Sequence, residues 1–364
     1  MSYETDNIAR IQGYVPGEQP SGSGVIKLNT NENPYPASPL VAETLAKIQI
    51  EELKRYPSAT AREFCHLAAK IHGINPENLV PTNGGDELLR LALTTFVGES
   101  DTVAITTPSY SLYPVLANLR GCSLHEVPLQ KDLTYPENLI ETLCNLSAKI
   151  CILVNPHAPT GALLPVSFID SLARKFKGVL IIDEAYADFV DPDLSYDSIP
   201  LIRKHKNLLF LRTLSKGYSL AGLRFGYGIG DHELIAPMLF KTRDSYNTDY
   251  VSQKLASAAL KSKNYAMTTW EKIRSSRIVL AESLSQLGLK NWPSQSNFIL
   301  AQIPQEPGAK NVYHKLKADN ILVRHFDVES LSDKIRITIG SEGENKQLIS
   351  SLKKIIAPYL KGRN

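Results

Sequence analysis

Cysteine is scarce in this chain, and long apolar runs are missing from it. Its 364 residues include four cysteines, Cys65, Cys122, Cys144 and Cys151. None of them stands in the paired spacing that a zinc site uses. Cys144 and Cys151 adjoin apolar segments, which suits buried thiols. No stretch reaches the roughly 18 apolar residues of a membrane span. Residues 1–6 are polar and acidic and hold no apolar signal region. Charge of one sign is lacking too, since 40 basic and 37 acidic residues leave a net +3. That balance gives no argument for a nucleic-acid or anionic-membrane partner. The sequence also lacks a G-x-x-x-x-G-K-[ST] phosphate loop, a G-x-G-x-x-G helix start, internal repeats and low-complexity segments. The expectation is a cytoplasmic protein with neither nucleic acid nor membrane as partner.

What is present is ordinary for a globular protein, 43% hydrophobic and 21% charged. The length suits about two or three domains and a core that needs no staples. Residues 1–38 are rich in glycine and proline and read as irregular, with a flexible loop at 21–24. Apolar runs at 102–106, 150–154, 179–182, 208–211 and 225–229 read as strands. Amphipathic stretches near 87–96, 112–119, 166–176 and 233–239 lie between them. Such alternation predicts βαβ units and a mainly parallel sheet, with ligands bound beyond the carboxyl ends of the strands. Residues 248–287 contain no glycine or proline and read as one or two long helices. Strands at 298–303 and 334–339 and helices near 309–319 and 344–358 suit a smaller α+β domain. The expected division is an arm over 1–38, a large domain over 39–247, and a linker helix with the small domain over 248–364.

The most informative stretch is Thr213-Leu214-Ser215-Lys216-Gly217-Tyr218-Ser219-Leu220-Ala221-Gly222-Leu223-Arg224, which leaves the apolar run 208–211. A lysine at the mouth of a sheet can lose water and bond a carbonyl as an imine. Ser215 and Arg224 can hold a phosphate beside it. A reactive amine next to an anion site is what a pyridoxal-phosphate enzyme needs. Other strand ends supply further parts. Gly84-Gly85-Asp86 opens a helical pattern where free N–H groups can meet an anion. Tyr110 closes the strand at 102–106 and can stack on a planar ring. The turn Asn155-Pro156-His157-Ala158-Pro159-Thr160-Gly161 is rigid and polar. Asp183 emerges from an apolar run, so it needs a cation or hydrogen bonds, and a protonated pyridine nitrogen would serve. Arg336 alternates with Ile335 and Ile337, and Arg324 follows Val323. Either arginine meets solvent or clamps a substrate anion. Taken singly, each part also has a bland reading as a capped helix, a packed tyrosine, a connecting turn or a solvated charge. Their joint order is specific.

The chain resembles the fold-type I pyridoxal-phosphate-dependent aminotransferases, and within them the histidinol-phosphate aminotransferase branch. The segments that carry the likeness are Gly13-Tyr14-Val15-Pro16-Gly17, Leu28-Asn29-Thr30-Asn31-Glu32-Asn33-Pro34, Arg55-Tyr56-Pro57, Asp183-Glu184-Ala185-Tyr186 and the lysine segment. The resemblance implies an α/β fold in which helices sandwich a mainly parallel sheet beside a smaller α+β domain. It implies an N-terminal arm that packs on the small domain and the partner subunit of a homodimer. Pyridoxal 5'-phosphate is the implied cofactor. Lys216 then resembles the Schiff-base lysine and proton carrier, and Asp183 the partner of the ring nitrogen. Tyr110 resembles the stacking aromatic, and Gly85, Asp86, Ser215 and Arg224 the phosphate cup. Tyr186 resembles a residue near the phenolic oxygen. Tyr56 resembles the tyrosine that reaches the cofactor phosphate of the neighbouring subunit. Tyr14, Asn33, Arg324 and Arg336 resemble the substrate pocket, with no metal involved. The implied reaction moves an amino group between L-histidinol phosphate and 2-oxoglutarate, giving glutamate. Aromatic-amino-acid transamination and threonine-phosphate decarboxylation are alternatives on the same scaffold. Two positions depart from the family pattern. Ala158 replaces the asparagine that usually bonds the phenolic oxygen, leaving Asn155, His157 or Tyr186 alone for that contact. Gly13 stands where relatives often carry proline.

Overall fold

The computed structural model describes residues 3–20, 22 and 24–360. Its larger sheet contains β2 (Leu79–Thr82), β3 (Thr102–Thr107), β4 (Ser123–Pro128), β5 (Ile150–Val154), β6 (Val179–Asp183), β7 (Leu208–Thr213) and β8 (Gly226–Gly230). The smaller sheet contains β1 (Ile26–Leu28), β9 (Phe298–Gln302), β10 (Ile321–His325) and β11 (Lys334–Thr338).

The larger sheet runs in the order β2-β8-β7-β6-β5-β3-β4. Strands β7, β6, β5, β3 and β4 are parallel. Every residue of β5 and β6 is buried, as expected when helices cover both faces of a parallel sheet. A fully buried ring such as that of Phe210 contributes about 1.5–3 kcal/mol of transfer free energy. The helix Gly85–Phe96 turns Leu88, Leu89, Ala92 and Leu93 to the core and carries Asp86 and Glu87 in its first turn, where acidic groups complement the helix dipole. The helix Leu112–Arg120 stops at Gly121, whose φ of 74° closes it in the left-handed conformation. Because β3, β5, β6 and β7 point the same way, their carboxyl ends deliver Tyr110, Asn155, Asp183 and Lys216 to one side of the sheet.

Three features differ from expectation. Strand β8 runs antiparallel to both β2 and β7. Only a short 3-10 turn, Ala221–Leu223, interrupts the link from β7, and without a crossover helix the chain folds straight back. Strand β4 was not expected, because it is a polar edge strand with most residues exposed. Residues 1–38 are not wholly irregular, since β1 pairs in parallel with β10. The expected loop at 21–24 lies partly outside the described residues, as do the first two residues of the polar opening stretch.

The smaller sheet has the order β1-β10-β11-β9. Arg324 and Arg336 are direct cross-strand partners in it. Two helices, Tyr250–Lys261 and Lys263–Gln286, lead from one sheet to the other. No helix among the described residues is long and apolar enough to cross a membrane.

Candidate active site

The lysine turn begins where β7 ends. The Thr213 hydroxyl accepts the Ser215 N–H at 3.1 Å and donates to Ser215 Oγ at 3.0 Å, which bends the chain sharply. Lys216 Nζ donates to the Thr30 carbonyl at 2.8 Å and lies 5.9 Å from the Tyr186 ring centroid. Burial, helped by the charge of Arg336, lowers this amine to about 8. About a tenth is therefore uncharged and nucleophilic near neutral pH, far more than for an ordinary lysine. The next residue has to be glycine, because a Cβ there would come within 2.1 Å of the Asp188 carboxylate. The Gly217 carbonyl accepts from Trp270 Nε1 at 2.6 Å and from Asn33 Nδ2 at 3.4 Å. Asn33 also donates to Thr269 at 3.1 Å, so its amide braces the lysine turn.

Asp183 closes β6 and is buried. Its carboxylate accepts the Tyr113 hydroxyl at 2.8 Å and the Ala185 N–H at 3.1 Å. No cation pairs with it among the described residues. Burial pushes the carboxyl up to about 6, although both hydrogen bonds pull it down. A cationic N–H donor beside it would restore its charge.

The side expected to meet an anion lies where the helix Gly85–Phe96 approaches the end of the lysine segment. Gly84 has φ of 80° and no side chain caps the helix start. A Cβ on Gly84 would stand 2.6 Å from Arg224 Nη2, so glycine lets the guanidinium lie against the helix entrance. Arg224 Nη1 donates to Ser215 Oγ at 3.3 Å, and its Nη2 lies 3.5 Å from Asp86. Tyr110 donates to Asp86 at 3.2 Å and meets Tyr14 and Tyr113 edge-on at 5.7 and 5.5 Å.

Asn155 and His157, expected at the cofactor edge, have their polar atoms engaged by their own loop and by Tyr196 and Pro108. Asn155 donates to the Leu164 carbonyl and the Tyr196 hydroxyl, and accepts the Leu164 N–H. His157 Nε2 donates to the Pro108 carbonyl at 3.1 Å, which assigns Nδ1 as the acceptor from Thr160 at 2.8 Å. Burial lowers this ring to about 4, so it is neutral. Tyr186 keeps its place facing Lys216, and its oxygen accepts Asn31 Nδ2 at 2.9 Å.

Arg336 Nη2 donates to the Asn29 carbonyl at 3.1 Å. Its buried Nε has no hydrogen-bond partner among the described residues. The ion pairs of the described residues engage Arg174, Arg212, Arg224 and Arg277, but neither Arg324 nor Arg336. Two like charges directly opposite on a sheet destabilise it, so the couple invites an anion. Tyr56 stands apart, 80% exposed and stacked on Tyr246 at 4.4 Å. Among the described residues no group of three or more His, Cys, Asp or Glu side chains could hold a metal ion.

Tyr113 and Asn31 were not singled out from sequence. Tyr113 had one signal, a hydroxyl on the apolar face of a helix three residues after Tyr110. Asn31 lay within a quoted motif but had no geometry to give it a role.

The profile of the family described as aminotransferase class I and II matches residues 23–352. The chain is 37% identical to histidinol-phosphate aminotransferase 1 of Trichormus variabilis, over 98% of this chain and 99% of that one. It is 40% identical to the histidinol-phosphate aminotransferase of Citrifermentans bemidjiense, over 96% and 97%. Among solved structures, the histidinol-phosphate aminotransferase of Sinorhizobium meliloti in complex with pyridoxal-5'-phosphate superposes with a TM-score of 0.90 over 99% of both chains. At 24% identity it shows the shared fold.

Proposed function

The chain belongs to the class I and II aminotransferases, and on that premise we propose that it transfers an amino group from L-histidinol phosphate to 2-oxoglutarate with pyridoxal 5'-phosphate as cofactor. The products are imidazole-acetol phosphate and glutamate, a step of histidine biosynthesis. The observation that carries the substrate assignment is the arginine couple. Arg324 and Arg336 face each other across β10 and β11, neither is in an ion pair among the described residues, and two guanidinium groups suit a doubly charged phosphate.

The residues present fit the cofactor. A buried carboxylate without a cation, Asp183, suits a protonated ring nitrogen. Ser215, Arg224 and the N–H groups of Gly85 and Asp86 would hold its phosphate. Tyr110 would stack on its ring. With Asn155 and His157 engaged elsewhere, Tyr186 is left to donate to its ring oxygen. When bound, the cofactor supplies an electron-withdrawing ring that takes up the charge left as the substrate Cα loses its proton. Lys216 Nζ, its charge lowered by burial, would accept that proton and deliver it to the carbon that was the cofactor's aldehyde carbon. Asp183 stays ionised against the ring nitrogen throughout, and Tyr14 covers the Tyr110 edge of the site.

On this reading residues 39–247 form the cofactor domain, 248–364 the linker and small domain, and 1–38 an arm shared with a partner. Exposed Tyr56 and Tyr246 support a homodimer in which Tyr56 serves the neighbouring site. All four cysteines are free thiols, which suits the cytoplasm. The test is a steady-state assay with 2-oxoglutarate as acceptor and histidinol phosphate or phenylalanine as donor. Preference for histidinol phosphate by kcat/KM is expected. Preference for phenylalanine would move the protein to the aromatic aminotransferases.

A further inference from the structure

Phe326 lies just past the end of β10, two residues beyond Arg324, where a chain that stays extended turns both side chains the same way. Arg336 is the cross-strand partner of Arg324, which makes Phe326 its diagonal neighbour. The Phe326 ring centroid is 5.8 Å from the guanidinium carbon of Arg324 and 5.7 Å from that of Arg336. One aromatic ring thus serves both cations, and its negative π face offsets part of their mutual repulsion.

The two arginines differ in what else holds them. Arg336 is tied to the Asn29 carbonyl and lies 5.2 Å from the Phe298 ring. Arg324 meets no other ring and no hydrogen-bond acceptor among the described residues. Among the described residues Phe326 is therefore the one ring or hydrogen-bonding group that holds it. Phe326 is itself fixed from behind, where it packs on the cluster of Leu133, Leu300 and Leu331. Leu133 lies in the turn that follows β4 of the larger sheet, and Trp292 Nε1 clasps that turn by donating to the Asp132 carbonyl at 2.8 Å.

We propose that Phe326 is a specificity-determining positioning residue, which holds Arg324 beside Arg336 so that two guanidinium groups meet one phosphate dianion. The proposal rests on the substrate reading above. A carboxylate carries one charge and is served by Arg336, which keeps its anchors without Phe326. Removing the ring should therefore release Arg324 and weaken phosphate far more than carboxylate.

The test compares wild-type holoenzyme with Phe326→Leu, Phe326→Met and Phe326→Tyr. Three constants are measured: KM for histidinol phosphate, the inhibition constant of inorganic phosphate against glutamate, and KM for glutamate. The leucine and methionine variants are expected to raise both phosphate constants about tenfold. The glutamate KM should move less than about threefold, and tyrosine should restore the phosphate constants to within about threefold of wild type. Methionine keeps the apolar volume, so it answers if the leucine variant folds poorly. Equal rises for phosphate and glutamate, no rise for phosphate, or failure of tyrosine to rescue would overturn the proposal. A wild-type enzyme that ignores histidinol phosphate would remove the substrate reading, and the inorganic-phosphate arm would still decide the role of Phe326.

Discussion

Asp183 and Glu184 are neighbours in sequence, and they end in opposite electrostatic worlds. Glu184 turns to the rear of the larger sheet, where it forms a 2.8 Å ion pair with Arg212 and accepts the Tyr196 and Ser198 hydroxyls. Arg212 also lies 3.7 Å from Asp188. Asp183 turns to the front, where its donors among the described residues are a phenol and one backbone N–H. The same contrast separates Arg212 from Arg336, which pairs with no carboxylate among the described residues. The rear is an electrostatically closed structure. Among the described residues the front is left open, with Asp183 lacking a cation, Arg324 and Arg336 lacking an anion and an amine that has shed part of its charge. Buried charge left uncompensated destabilises a fold, so its concentration on one face marks the place where ligands complete the structure.

The sharpest break of this comparison is Lys216→Ala. It should remove the imine absorbance and lower turnover by roughly 10⁴-fold, while the thermal midpoint stays within a few degrees. Retained turnover would sink the role of Lys216. The paired carboxylates come next. Asp183→Asn should lower turnover by about 10²-fold or more and reduce cofactor loading far less. It should leave the cofactor-free protein as stable or more so, because an unpaired buried charge is gone. Glu184→Gln should do the reverse and destabilise by about 3 kcal/mol in denaturant titration, because Arg212 loses its closest partner. Similar stability losses in both variants would erase the distinction between front and rear.

Acidity sharpens the comparison further. The folded Asp183 carboxyl lies at about 6, above the usual carboxylate value. Between about pH 4 and 6 the unfolded chain ionises this group while the folded chain does not. The contribution of Asp183 to the stability of the cofactor-free protein should thus be fully present below that window and fall as pH rises through it. Bound cofactor should abolish this fall. Lys216, lowered to about 8, should capture added pyridoxal phosphate about tenfold faster per pH unit up to about 8 and level off above. A capture rate still climbing at pH 10 would show an ordinary exposed amine. The smallest effect is expected for Tyr56→Phe, which should weaken cofactor retention several-fold in the dimer alone; a fully active monomer would refute the sharing.

Sequence made the strand ends legible and left their partners hidden. The run Ile150–Val154 is apolar throughout because both of its faces are covered, so its bounds can be read directly. Asp183, Lys216 and Tyr110 stand out because each interrupts or follows such a run. Strand β4 carries His125 and Glu126 on an edge and has no apolar signature. Strand β1 is three residues long and exists only through pairing with β10, nearly 300 positions away. Direction is hidden as well, which is why β8 reads like its parallel neighbours. In the site, the Tyr113 bond to Asp183 and the Phe326 shelf under two arginines depend on contacts that spacing alone does not reveal. Asn155 and His157 sit at the right strand end, but their polar atoms are taken by Leu164, Tyr196, Thr160 and Pro108. Motif position carries no information about where an amide points.

The measurement that tests the central claim most directly is a single-turnover spectrum. Purified yellow enzyme is mixed with L-histidinol phosphate without 2-oxoglutarate, and with phenylalanine in parallel. The account predicts rapid conversion of the bound cofactor from its aldehyde to its amine form with histidinol phosphate, and little with phenylalanine. Conversion with phenylalanine alone would contradict the substrate, and a protein that stays colourless after pyridoxal phosphate is added would contradict the site itself.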